Sequence, residues 1–328
     1  MTVRSCIKSM RLRTLPLSLA GVITGIALAF SAGTEVLLPG SAAGTAPEAA
    51  AAAETLLPGS AAETPALPLV VALLLTTALL QILSNLSNEL GDTMHGTDTA
   101  ERQGIRYSLQ DGDMTIPQMK RLIAVIAVIC CISGLAMVLL SFGELFALEP
   151  LCLLALGAAA IRAAMHYTLG DNPYGYRGLG DIFVFIFFGL VSVLGAGYVC
   201  SHTIRAVWIL PAAAMGCWSI GVLNVNNIRD MKTDAATRTT VALKLGLHNA
   251  RIYQSVLISG GWILMLAFSL LTASGWLQWL YFITAPLFVL HLRGVWAHTG
   301  RSLDPMLPLL VMSTFLTALL FASAHILH

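Results

Sequence analysis

Charge is what this sequence has least of. Only 11% of its 328 residues are Asp, Glu, Lys or Arg, while 57% are hydrophobic and the mean hydropathy is +0.80. A soluble domain of that length needs many more charges to cover its surface, so the composition excludes one. The net charge of +1 excludes the concentrated basic face that nucleic acid requires. Cysteine is sparse as well. Cys6, Cys130, Cys131, Cys152, Cys200 and Cys217 fall in or beside apolar runs. Their spacing fits neither a zinc site nor a disulfide framework, and they read as small buried hydrophobes. What the chain does have is repeated apolar stretches of about twenty residues, the length that crosses a bilayer as a helix.

Nine such spans follow one another: Leu15–Ala32, Leu67–Glu89, Leu122–Phe142, Leu151–Leu169, Leu179–Cys200, Val207–Asn227, Ile252–Thr272, Trp276–Val295 and Pro305–Leu327. Their orientation follows from the basic residues, which favour cytoplasmic loops. Seventeen of the eighteen Lys and Arg residues fall on the side of the N-terminus, leaving Arg205 alone on the other. A wrong span count would scramble this alternation. The expected architecture is an all-α polytopic membrane protein of about nine transmembrane helices in one domain over residues 1–328, with the N-terminus cytoplasmic and the C-terminus outside.

Some stretches stand apart from that pattern. The basic N-terminus, the apolar run from Pro16 and the Ala29-Phe30-Ser31-Ala32 segment resemble a signal peptide. Its removal would cost a span and break the charge alternation, so the segment is read as retained. The first external loop, Gly33–Pro65, repeats Leu-Leu-Pro-Gly-Ser-Ala-Ala at Leu37–Ala43 and Leu56–Ala62 and reads as a low-complexity insert without chemistry. Cys130-Cys131 and the small-residue run Gly157-Ala-Ala-Ala160 read as helix-packing surfaces. His166 and His291 read as packing residues, and no spacing rule gives His95 a role.

Two patches break the greasy background. Ser84–Asp98 carries Asn85, Asn88, Glu89, Asp92 and Asp98, and Asn224–Asp234 carries Asn224, Asn226, Asn227, Asp230 and Asp234, each at the end of an apolar run. Ionisable groups near the hydrocarbon cost a few kcal/mol each, so they should face the bundle interior, a water-filled cavity or an ion. A continued helix puts Asn85, Asn88 and Asp92 on one face, and Asn226, Asp230 and Asp234 on another. Both patches lie on the cytoplasmic side by the charge rule. They read either as solvated helix ends or, brought together, as oxygen ligands for a divalent cation. Mg²⁺ is bound in this way, through one or two carboxylates plus substrate phosphates.

Asn88-x-x-x-Asp92 followed by Asp98, paired with Asn227-x-x-Asp230-x-x-x-Asp234, resembles the two Asp-rich motifs of the UbiA superfamily of membrane prenyltransferases. Met10–Pro16, Gln81–Asn88, Pro173-Tyr-Gly-Tyr-Arg-Gly-Leu-Gly-Asp181, and Asn226–Asp230 with Lys244-Leu-Gly246 are similar to its 1,4-dihydroxy-2-naphthoate polyprenyltransferase branch. The chain departs from that pattern at Glu89, where the family has Asp, and at Tyr107, where an Arg is usual and Arg106 stands adjacent.

The resemblance implies a nine-helix bundle in the bacterial inner membrane, with the active site open to the cytoplasm. The reaction it implies is Mg²⁺-dependent transfer of a polyprenyl chain from polyprenyl diphosphate to 1,4-dihydroxy-2-naphthoate with loss of the carboxylate, as in menaquinone biosynthesis. No obligatory protein partner is evident. Asn88, Asp92, Asp98, Asn227, Asp230 and Asp234 would hold the metal. Arg102, Arg106 and Arg238, with Asn88 and Asn227, would bind the diphosphate. Asp92, Asp230 and Asp181 would act in catalysis. By itself the Pro173–Asp181 block reads as a turn with an interfacial aromatic anchor. The resemblance places it near the acceptor, with Tyr176 stacking, Arg177 meeting an anionic group and Asp181 polarising a ring hydroxyl. Arg11 and Arg13 either neutralise the acceptor's carboxylate or simply obey the positive-inside rule. Two other readings stand beside this one: the same superfamily with 4-hydroxybenzoate as acceptor, and a cation-coupled transporter, whose site would lie nearer the bilayer midplane.

Overall fold

The computed structural model describes residues 2–36, 55–57, 65–97, 106–272 and 275–326. Among these, nine helical segments are long and apolar enough to cross a membrane, matching the spans read from hydropathy.

The chain opens with a short helix, α1 (Val3–Met10), capped by Thr2, whose hydroxyl accepts the Ser5 N–H. Arg11 ends it in the left-handed region at φ 50°. A turn over Leu12–Thr14 then leads into α2 (Leu15–Val36). Next come α3 (Leu67–Met94), α4 (Ile116–Phe142) and α5 (Leu148–His166). Pro68 in α3 and Pro117 in α4 sit in first turns, where a missing N–H costs nothing. Thr115 caps α4 through the Gln118 N–H, and Gly143 closes it at φ 71°.

α6 (Gly180–Ser201) winds in wide π-helical turns over Phe185–Gly195. α7 (Ile209–Asp234) follows, then α8 (Val241–Leu271), which is broken at Gly246 (φ 73°, ψ 163°). A 3₁₀ stretch over Trp276–Thr284 precedes α9 (Ala285–Ala297), and α10 (Met306–Ile326) completes the bundle.

α7 lies at the centre, packed along α8, α6 and α10, while α2 runs along α10. Trp218, Tyr281, Phe288 and Phe321 fill the core between them, each less than 2% exposed. Inside that core Asn224 donates to Gln254, whose amide meets His291 at 3.0 Å, and the other ring nitrogen of His291 lies 3.0 Å from Met306 O. His291 is thus hydrogen-bonded packing, as its position in a span suggests.

Several packing expectations are corrected. Gly157–Ala160 does not form a contact surface within the chain: Ala158 and Ala159 are exposed, and a Cβ on Gly157 would meet nothing within 4 Å. Cys131 and Cys152 face outward, while Cys130 and Cys200 are buried. Within the low-complexity insert, Thr55–Leu57 forms a strand, β1, antiparallel to β2 (Ile204–Arg205). The remainder of Leu37–Ala43 and Leu56–Ala62 lies outside the described residues.

Candidate active site

Two helix ends converge at one end of the bundle. α3 stays helical past its apolar run through Asp92, as the phase of its polar residues requires. Its last turn is pressed against the segment after α5. A Cβ on Gly91 would lie 2.5 Å from Thr168 O, and the Thr168 hydroxyl donates to Ser87 O (3.0 Å) and Asn88 Oδ1 (3.3 Å). The chain then folds back so that the Thr97 N–H meets Asp92 O at 2.9 Å.

The loop Pro173–Asp181 closes over this end. The Tyr176 phenol donates to Asp92 Oδ1 at 2.7 Å, and its oxygen lies 3.0 Å from the Thr97 hydroxyl. Burial, aided by Asp92, pushes the Tyr176 pKa up, so the proton it donates is held firmly. The Tyr176 carbonyl accepts the Thr239 N–H at 2.9 Å, and Arg177 pairs with Thr239 along the backbone. One loop therefore joins the first acidic patch to the segment following the second.

From the second patch, Asp234 accepts from Arg238 at 2.7 Å, with both side chains buried. Burial alone would lower the guanidinium pKa, but Asp234 and then Asp92 hold it above its ordinary value. Carboxylates from both patches thus act on one buried cation. Tyr167, just past α5, stands among Asp92, Asp181, Asp234 and Arg238; burial, helped by the three carboxylates and opposed by Arg238, pushes its phenol up to about 12. Asp181 is buried where α6 begins and accepts from Tyr253 of α8 at 2.9 Å. Tyr167, Asp181, Leu223, Asn227 and Arg238 line a narrow cleft.

The other expected site residues are placed differently. Asp230 is fully buried and takes two hydrogen bonds from its neighbour Arg229, at 2.8 and 2.6 Å. Arg177 has an exposed side chain. Arg106 is also exposed and is engaged within its own loop by Asp111 (3.0 Å) and Gln110 O (3.1 Å). Arg11 lies 3.7 Å over the Tyr107 ring, whose hydroxyl accepts from Arg13 at 2.7 Å. Asn85 turns away from Asn88 and ties α3 to the N-terminal turn through Met10 O and Thr14, both at 2.9 Å. Glu89 accepts the Leu109 N–H at 2.9 Å, fastening the loop before α4. Asp98 and Arg102 lie outside the described residues.

Tyr167, Thr168 and Tyr253 carry no spacing signal in the sequence, since each is an isolated residue at the end of a span or within one, and Arg229, though inside the Asn226–Asp230 block, is given no role there. Lys244 also belongs to a block, Lys-Leu-Gly, and its Nζ would lie 3.2 Å from a Cβ on Gly178.

The donors fit a hard divalent cation. All are carboxylate or amide oxygens, and the position between Asp92 and Asp234 is one that positive charge already satisfies. Among the described residues, no three Asp, Glu, His or Cys side chains close into a metal cage. A cation held there would need ligands from outside the protein as well, such as phosphate or water oxygens.

Residues 50–305 match the UbiA prenyltransferase family. Over 318 residues the chain is 37% identical to 1,4-dihydroxy-2-naphthoate octaprenyltransferase of Escherichia coli (strain K12), covering 96% of this chain and 92% of that protein. It is 35% identical over 314 residues to the protein of the same name from Haemophilus influenzae (strain ATCC 51907 / DSM 11121 / KW20 / Rd), covering 95% and 92%. The apo structure of a UbiA homolog from Aeropyrum pernix K1 superposes with a TM-score of 0.63 over 91% of this chain and 96% of that one, at 14% identity, and so shares its fold.

Proposed function

Because this chain belongs to the UbiA prenyltransferase family, we propose that it transfers a polyprenyl chain from polyprenyl diphosphate to 1,4-dihydroxy-2-naphthoate, with decarboxylation, in the menaquinone pathway. The choice of acceptor is supported by the relatives of that name, aligned over more than nine-tenths of both chains. The chemistry is supported by one observation above all: Tyr176 ties the two patches together, its phenol donating to Asp92 at 2.7 Å and its carbonyl accepting from Thr239, just past Asp234, at 2.9 Å.

The allylic C–O bond of the donor ionises, leaving a prenyl cation and a diphosphate of high negative charge. Arg238 is fixed where that charge develops and stays protonated throughout. Asn88 and Asn227 offer amide groups to the phosphate oxygens. Asp92, Asp98, Asp230 and Asp234, with the two asparagines, would hold Mg²⁺, which when bound neutralises the leaving group. Arg102 and Arg106, which follow the first patch in sequence, would add to the diphosphate contacts. Tyr176 orients Asp92. Asp181, steadied by Tyr253, takes a proton from a ring hydroxyl, which makes the ring carbon bearing the carboxylate nucleophilic. That carbon bonds to the prenyl cation. The C–CO₂⁻ bond then breaks, its electrons restore the aromatic ring, and CO₂ leaves. Arg11 and Arg177 meet the acceptor's carboxylate. The apolar bundle holds the prenyl tail and keeps water from the cation.

The protein lies in a bacterial inner membrane, with the N-terminus and the site facing the cytoplasm, and acts as one domain over residues 1–328 interrupted by the 33–65 insert. Membranes containing the protein, given labelled polyprenyl diphosphate, Mg²⁺ and either aromatic acid, test the reading. Prenylated naphthol with CO₂ release is expected. A product formed only with 4-hydroxybenzoate moves the acceptor. No prenylated product from properly folded protein would favour a cation-coupled transporter instead.

A further inference from the structure

Asp230, though central to the second motif, is not free to meet a cation at full charge. Arg229 grips it with Nε on Oδ1 and Nη2 on Oδ2, and a carboxylate paired in this way is neutral as a unit. The third side of the same guanidinium is taken by Asp304, in the segment joining α9 to α10, through Nη1 on Oδ1 at 3.0 Å. Asn226 Oδ1 completes the set at 2.8 Å. Arg229 is 6% exposed at its side chain and Asp230 is 0% exposed, while Asp304 is 43% exposed. With Asp304 the group carries a net charge of about −1; without it the charge is about zero. Asp234 and Arg238 repeat the arrangement, with Asp92 as the second carboxylate acting on the guanidinium.

We propose that Asp304, which lies outside both acidic motifs, is a positioning residue for the divalent-cation site. It draws part of the Arg229 charge off Asp230 and so keeps Asp230 able to bind the cation. The inference rests on the cation–diphosphate reading given above.

Full-length protein in detergent is titrated with Mn²⁺ in the presence of inorganic pyrophosphate, and bound Mn²⁺ is read by electron paramagnetic resonance without turnover. Asp304→Asn and Asp304→Ser should each weaken Mn²⁺ binding about five- to tenfold. Asp304→Glu, which keeps the charge, should stay within about twofold of the wild type. Glu144→Gln, which removes an exposed charge at the other end of the bundle, should change nothing. Because Asp304 is partly exposed, 0.5 M NaCl should narrow the gap between wild type and Asp304→Asn. Wild-type affinity in either neutral variant overturns the role of Asp304 and leaves the family chemistry standing. Equal weakening in Asp304→Glu and Asp304→Asn also overturns it, because shape rather than charge would then matter. A wild type that binds no Mn²⁺ overturns both this role and the cation reading beneath it.

Discussion

Tyr176 and Asp92 lie 84 positions apart, yet the phenol of one donates to the carboxylate of the other at 2.7 Å. The loop expected to cradle an aromatic acceptor is therefore anchored on the carboxylate expected to hold the metal. Its other edge is stitched to Thr239, five residues past Asp234. On the proposed reading, donor and acceptor binding would share this one anchor.

Tyr176→Phe removes this hydrogen bond and keeps the ring. A hydrogen bond to a charged group is worth about 1.5–3 kcal/mol, so kcat/KM for the prenyl diphosphate should fall about ten- to a hundredfold. Steady-state kinetics with each substrate varied in turn check this. If only the KM for the aromatic acid rises, the ring contacts the acceptor and does not serve Asp92.

Glu89 sits beside Asn88 in the motif, but it faces the loop before α4 and accepts from the Leu109 N–H. Glu89→Gln keeps an acceptor oxygen and loses the charge. The Mg²⁺ concentration for half-maximal turnover should stay within about twofold of the wild type, whereas loss of even a residue that only orients a metal ligand costs about ten- to a hundredfold. A shift of that larger size would make Glu89 part of the metal site.

Much of this was legible in the sequence because the physical constraint is strong. A span needs about twenty apolar residues whatever its neighbours, so the count of nine and most of the boundaries follow. Helical phase also carried Asp92 and Asp234 correctly past the ends of their apolar runs. Phase fixes a direction, however, and not a partner. Asn85 shares a face with Asn88, yet it meets the N-terminal turn because α1 lies across that end of α3. Arg229 counted only as a cytoplasmic charge, since adjacent helical residues do not normally face one another; its grip on Asp230 depends on the fork of the guanidinium bending back. Tyr167 gave no signal, because a single aromatic at a span end is what membrane interfaces contain anyway.

Gly91 tests how closely the ends of α3 and α5 must approach. In Gly91→Ala the new methyl would meet Thr168 backbone O at 2.5 Å, an atom with no rotamer to yield. Overpacking of this kind costs about 1–3 kcal/mol, and turnover should fall further than stability because Asp92 lies on the displaced turn. Gly157→Ala, where a Cβ meets nothing within 4 Å, should be neutral or slightly stabilising. Thermal unfolding in detergent beside the transfer assay compares them. Equal behaviour of the two variants would mean that the α3 contact does not position the site.

Arg238 is the residue on which both acidic patches act, and its two roles can be separated. Arg238→Ala leaves Asp234 buried without its cation, and breaking a buried pair from one side costs about 3–5 kcal/mol, so the unfolding temperature should drop clearly. Turnover should fall about a hundred- to a thousandfold, as for loss of a group that stabilises developing negative charge. Arg238→Ala combined with Asp234→Asn removes the stranded charge and should recover most of the stability, since replacing both partners avoids the unsatisfied group. It should recover none of the turnover, because neither the carboxylate nor the guanidinium is then available to the diphosphate. Arg238→Lys keeps the charge but loses the two-pronged geometry and should fall between wild type and Arg238→Ala in turnover, with stability near wild type. Chelation with EDTA should silence the wild type and Arg238→Lys alike, with added Mg²⁺ restoring each to its own level. Recovery of turnover in the double variant along with its stability would reduce Arg238 to a packing role and return the diphosphate contact to the loop that follows Asp92.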